Sequence, residues 1–176
     1  MNEDNLDFQG FNSRWKSYLI DNIITGLFLG AVNFVNISFY KEFSIYLIAA
    51  LIALAYKPVM EGIYGATLGK MLINIKVVDY EGQKINAAQA LLRSIFNIFQ
   101  FLLVVFFYYA AFNDSLLLEA SGYIEFQELF IEGYPGVRYI SNAMFFVVVA
   151  ELISMNMDPQ HRTIHDRIAK TFVVKA

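Results

Sequence analysis

The sequence predicts an all-α membrane protein: a four-helix transmembrane bundle with both termini in the cytoplasm (N-in/C-in) and a small cytoplasmic β-ribbon. Three observations predict it. First, 57% of the 176 residues are hydrophobic and only 16% are charged, where soluble domains carry about 25% charged residues. Second, four apolar stretches approach the ~20 residues that cross a bilayer. Third, the basic residues are distributed very unevenly about those stretches. A soluble domain this rich in Phe, Leu and Ile would expose large apolar patches, and the lipid bilayer is the partner that hides them.

The elements follow in chain order. The acidic start, Met1 to Asp7, has no basic run ahead of the first apolar segment. The expectation is therefore a retained first helix and no cleaved leader. That span covers about residues 15–37 and contains Gly26-Leu-Phe-Leu-Gly30, a small-xxx-small pattern that permits close packing by another helix, in this chain or a second copy. The second span covers about 43–60, where Pro58 removes a backbone donor and should kink or end the helix.

A cytoplasmic loop, 61–86, comes next. In Leu72 to Val78, apolar Ile73, Ile75 and Val77 alternate with Asn74 and Lys76, the pattern of a strand, and Asp79 to Gly82 forms its turn. The third span, about 87–112, opens with Asn86 and Gln89, which resemble a capping box. Its length of ~26 residues corresponds to ~39 Å, longer than a ~30 Å hydrocarbon core. Ala87 to Arg93 should therefore lie among headgroups, or the helix tilts.

In the outer loop, 113–137, Asp114, Glu119, Glu125, Glu128 and Glu132 are interspersed with large apolar residues, as in one or two short amphipathic helices. Gly133-Tyr-Pro-Gly136 turns the chain into the fourth span, about 138–157. The cytoplasmic tail, 158–176, should hold a short helix capped by Thr163, with Asp166 near its third position. It ends in Thr171-Phe-Val-Val174, which should pair with the loop strand. A two-stranded ribbon alone is marginal in water, so this one should rest on the helix ends.

Charge placement orients the chain. Eleven of the thirteen Lys and Arg fall on the N-terminus, the second loop, its flanks and the tail, and only Lys41 and Arg138 on the other side. The basic side is the cytoplasmic one, so both termini are expected to face the cytoplasm. A formal net charge of −3 gives no support to a nucleic-acid surface. The absence of cysteine excludes disulfides, thiolate metal sites and a Cys nucleophile. Gly65-Ala-Thr-Leu-Gly-Lys70 lacks the earlier glycine and the final Ser or Thr of a phosphate loop, so no nucleotide cofactor is expected. His161 and His165 are spaced as metal ligands on a helix can be, but no third His or Cys completes a set, and no metal is expected. No Ser–His–Asp arrangement is visible, and the chain reads as a non-enzyme.

Several of these segments together resemble the RDD family of bacterial membrane proteins, named for an arginine at the start of the first membrane helix and two aspartates. Arg14 and Asp21 in Ser13-Arg-Trp-Lys-Ser-Tyr-Leu-Ile-Asp21 fit the arginine and the first aspartate. The Thr67-Leu-Gly-Lys70 segment, the strand and turn in Ile75 to Gly82, and the helix opening Gln89 to Arg93 follow in the family's order. Asp166 in Thr163-Ile-His-Asp-Arg-Ile-Ala-Lys-Thr171 fits the second aspartate, with Lys170 standing where a Gly is more usual. The resemblance runs from about residue 11 to 174 and implies the architecture. It also implies a suspected role in transport, with sodium/proton exchange proposed for some members.

The side chains that could carry chemistry are Arg14, Asp21, Arg93, Asn97, Gln100, Glu151 and Asp166. Arg14 and Asp21 share a helix face but stand ~10 Å apart along it. Each should therefore have another partner, Asp166 for Arg14 and Arg93 for Asp21. An ionisable group in a span usually faces a partner or a wet cavity. Asp21 with Asn97 and Gln100 could line such a cavity, and the alternative is plain interhelical hydrogen bonding by these residues together with Asn22, Thr25 and Asn142. Asp21 and Glu151 would be a minimal pair of acids for proton–cation exchange, with burial raising both pKa values. Alternatively, Arg14, Asp21 and their partners form a structural ion-pair cluster, and Glu151 snorkels or pairs with a basic loop residue. Two functions stay open: a small-cation or solute transporter built around Asp21, working as a homo-oligomer, and a membrane scaffold or accessory subunit for another membrane protein.

Overall fold

The structure, a computed structural model, describes residues 6–176; the first five residues of the acidic start, on which the leader expectation chiefly rests, lie outside that range. Helix α1 (Phe11–Val35) continues through a π-helical turn, Asn36–Tyr40. Lys41, at φ 53°, turns the chain into α2 (Phe43–Tyr64). A short α3 (Leu68–Leu72) precedes β1 (Ile75–Asp79). Then come α4 (Ala87–Arg93), α5 (Ile95–Ala111), α6 (Ser115–Leu118), α7 (Tyr123–Gly133), α8 (Gly136–Met157), α9 (Ile164–Ala169) and β2 (Thr171–Lys175).

Among the described residues, three helices are long and apolar enough to cross a membrane: α1 with its π-turn, α2 and α8. The α4–α5 pair makes a fourth if its two bent halves count as one span. Their outward surfaces are apolar, with Leu27, Phe106 and Phe146 each about two-thirds exposed or more. That is the inverse of a soluble helix and fits a lipid-facing one.

The first described residues and the C-terminal strand lie at one end of the bundle. There β1 and β2 pair antiparallel, Ile75 opposite Lys175 and Asp79 opposite Thr171. Both edges of this ribbon are occupied. Gln9 N donates to Val173 O at 2.9 Å and Lys175 N to Asp7 O at 3.0 Å along β2. Val77 N donates to Gly65 O at 2.7 Å along β1. Covered edges leave little unpaired backbone to template another strand. One ribbon face packs Ile75, Val77, Ile85, Ala90 and Val173, and the other Val78, Phe172 and Val174 against Phe8 and Tyr80. At the opposite end, α6 and α7 cap the helices through an aromatic core in which Tyr46 stacks on Tyr108 at 4.1 Å and Phe126 is fully buried.

Four boundaries differ from the sequence expectation. Helix α2 runs through Pro58 to Tyr64 instead of ending near residue 60. A proline costs its helix one donor and crowds one carbonyl, and here the next turn is held by ion pairs of Glu61. The stop is Gly65 at φ 73°, in the left-handed conformation that closes a helix. The third span is not one rod: it bends by 61° at Ser94, whose Oγ donates to Ala90 O at 3.2 Å beside the buried Arg93. The bend separates α4, which packs against α2 and α9, from the apolar α5. Leu72 belongs to α3, not to the strand, because Thr67 caps a helical turn there. The first helix is longer than expected at both ends. The Asn86–Gln89 and Thr163–Asp166 capping boxes are both formed, and the outer loop contains α6 and α7.

Candidate functional site: a buried charge layer

The end of the bundle beneath the ribbon is crossed by a chain of alternating charges. Lys70 Nζ donates to Glu61 Oε1. Arg93 Nε donates to Glu61 Oε2 at 2.7 Å. Arg93 Nη1 donates to Asp166 Oδ1 and, at 2.6 Å, to Thr171 Oγ1. Arg14 Nη1 closes the chain on Asp166 Oδ2 at 2.5 Å. These five charged side chains come from α3, α2, α4, α9 and α1, so the layer ties together elements that span most of the sequence.

The Arg93, Glu61 and Asp166 side chains are at most 1% exposed. Each cation in such a place needs an anion, because an unpaired buried charge costs several kcal/mol. Burial opposes the charged form of Asp166, but Arg14 and Arg93 outweigh it and hold its carboxyl well below the usual carboxylate range. Asp166 also accepts Thr163 N at 3.0 Å, so it caps α9 and pins it to the bundle.

Asp21 belongs to a different kind of site. Its Oδ1 accepts Tyr56 Oη at 2.7 Å and Gly69 N at 2.8 Å, and its Oδ2 accepts Thr67 Oγ1 at 2.6 Å. No Lys or Arg is among these partners. Helix α3 must come very close to α1 for this: a Cβ on Gly69 would stand 2.2 Å from Ser17 O and 2.8 Å from Asp21 Cγ. Only glycine fits the approach.

Glu151, on α8, accepts His165 Nδ1 at 2.6 Å and His165 N at 3.2 Å. His165 Nε2 lies 3.6 Å from Asp166 Oδ1. Burial lowers the His165 pKa; Asp166 and Glu151 pull it up, Lys57 and Arg93 push it down, and the outcome is below the ordinary value. The imidazole is therefore neutral near pH 7 and ties the tail to α8.

Of the residues singled out from sequence, Arg14, Arg93 and Asp166 stand together in one network, with Glu151 joined to its edge through His165. Arg93 is not the partner of Asp21, because Glu61 and Asp166 already take its fork. Asn97 is exposed on α5 and Gln100 partly buried, and neither enters the Asp21 hydrogen-bond set. The Gly26–Gly30 face has nothing within 4 Å of either glycine's Cβ position, so among the described residues no helix packs there. Sequence reading missed Glu61, Lys70, Tyr56, Thr67 and Gly69 as site residues. Reading Pro58 as a stop had placed Glu61 in a loop. Its signal was an acid on the apolar helix, one turn past Lys57.

A comparison with family models matches the RDD family over residues 9–170, which is most of the chain. Comparisons with curated proteins and with solved structures find no match. The matched range contains Arg14, Asp21 and Asp166, the residues on which the sequence resemblance rested, and the long apolar helices make this a multi-pass membrane protein. The chain belongs to the RDD family.

Proposed function

We propose that this chain is a four-span protein of the bacterial cytoplasmic membrane, both termini inside, that binds a small cation at Asp21 and exchanges it for a proton. One observation carries the reading: Asp21 is a carboxylate held by two hydroxyls and an amide instead of a Lys or Arg. Glu61 and Asp166 have their charge met by protein cations, whereas Asp21 has its charge left for a mobile one. Tyr56 and Thr67 hydroxyls rotate, so a cation arriving at Asp21 would meet their oxygen lone pairs in place of their hydrogens. Hard oxygen ligands of this kind suit alkali and alkaline-earth cations. When the cation leaves, a proton on Asp21 restores neutrality. The excess of basic residues on the termini side supports the orientation.

The test is Na⁺ and K⁺ flux in proteoliposomes across a pH gradient, wild type beside Asp21→Asn. Asn keeps an acceptor for Gly69 N and offers its amide to the Thr67 hydroxyl, so the fold should survive. Flux abolished by the substitution supports the reading. No flux from folded wild type, or flux unchanged in Asp21→Asn, sinks it.

A second reading, a membrane scaffold or accessory subunit without transport, is favoured by the closed charge chain from Lys70 to Arg14, which makes a rigid platform under the ribbon. Affinity purification from native membranes tests it, and recovery of the chain without any partner rules against it.

A further inference from the structure

Helix α8 has a polar side chain where lipid would have to stand. Asn142 is exposed, six residues from the helix start at Gly136 and nine from Glu151 at the charge layer. At 1.5 Å per residue it lies ~9 Å from one end and ~13 Å from the layer. That places it inside the stretch of α8 long and apolar enough to cross a membrane. Elsewhere on this helix Ser141 Oγ donates to Val137 O and Asn156 Nδ2 to Leu152 O. Among the described residues Asn142 has no such bond. A primary amide left to hydrocarbon is costly, and in membrane spans Asn side chains hydrogen-bond across helices.

The residues in line with it are spaced three and four apart: Tyr139, Asn142, Phe146, Val149, Ile153 and Asn156. That is the 3.5-residue seam of a left-handed helix pair. Tyr139, Phe146 and Ile153 are 70%, 69% and 55% exposed, so none of the described residues fills the seam at these positions. Helix α8 is also the least covered of the three long helices.

We infer that this seam is where a second copy of the chain docks, α8 against α8, with Asn142 paired to the Asn142 of the other copy. The occupant follows from the chemistry of the amide. It carries both donor and acceptor, so two related by a twofold axis satisfy each other, as an isologous interface requires. A single polar residue on an apolar seam also fixes register. The inference does not depend on any activity at Asp21.

The chain contains no cysteine, which makes the test clean. Phe146→Cys, on the seam, and Phe145→Cys, beside it, are placed separately in the purified chain in lipid bilayers and oxidised, so that Asn142 stays in place. Phe146→Cys should form a disulfide-linked dimer. Phe145→Cys, also exposed but about 100° round the helix, should not. Independently, Asn142→Ala should weaken self-association by between about three-fold and thirty-fold, and Asn142→Gln should largely keep it. Removing a lipid-facing amide does not threaten the monomer's fold. Equal cross-linking at both positions, none at 146, or a wild type monomeric at high protein-to-lipid ratio would overturn the proposal.

Discussion

Arg93 Nε lies 2.7 Å from Glu61 Oε2, and both side chains are sealed from water. The same guanidinium also holds Asp166, so a single cation serves two buried carboxylates. Arg93→Ala leaves both short of charge and should cost about 3–5 kcal/mol. Arg93→Lys keeps the charge but loses the planar fork that reaches two acids at once, and should fall between. Thermal unfolding in detergent orders the three proteins. An Arg93→Ala melting temperature equal to wild type would mean that water, not Arg93, satisfies these acids.

The burial of His165 sets a pH dependence, against the pull of Asp166 and Glu151. The folded imidazole has a pKa below its ordinary 6.5. As pH falls below that value the unfolded chain takes up the proton first, so stability is lost from about pH 6.5 downward. His165→Gln should remove this slope while leaving the later loss on acidification below about 3.8, where Asp166 must protonate in the unfolded chain first. Melting temperatures of both proteins from pH 8 to 4 decide it. A wild-type curve as flat as the variant's would show His165 to be as free in the folded chain as in the unfolded one.

The long apolar helices, the ribbon pairing and both capping boxes were legible because each is written locally, in apolar length, alternation of period two, or Thr and Asn with an acid or amide three residues on. Arg14–Asp166 was legible because family order brought the two together. Glu61 was not, since Pro58 argues locally for a stop and only tertiary ion pairs argue against it. The bend at Ser94 was hidden because no proline or glycine in Ala87–Ala111 marks it; it falls beside Arg93, whose burial only the tertiary ion pairs reveal. The partners of Asp21 come from the α2–α3 hairpin, and no pattern in α1 specifies them.

Gly69 and Gly26 make a matched pair of tests. A Cβ at Gly69 meets the Ser17 carbonyl at 2.2 Å, a backbone atom that cannot swing aside. Gly69→Ala should cost about 1–3 kcal/mol through overpacking and push α3 off Asp21. At Gly26 nothing lies within 4 Å, and Ala is the better helix former. Gly26→Ala should therefore be neutral or slightly stabilising by thermal unfolding. A loss at Gly26 equal to that at Gly69 would place an unseen neighbour on that face.

Thr67 links stability to the proposed cation site. Its Oγ1 donates to Asp21 Oδ2 at 2.6 Å and accepts Lys70 N at 3.4 Å, capping α3. Thr67→Val keeps the shape but removes both bonds, and should cost about 0.5–2 kcal/mol as a lost cap. Thr67→Ser keeps the hydroxyl and should be close to wild type. If Asp21 binds a cation, Thr67→Val also removes an oxygen ligand, so flux should fall even at temperatures where the variant is fully folded. If Asp21 only staples α3 to α1, any flux should follow the folded fraction alone. Measuring flux and unfolding on the same preparations separates a ligand from a staple, because the two roles share the Thr67 hydroxyl but only one of them needs an ion.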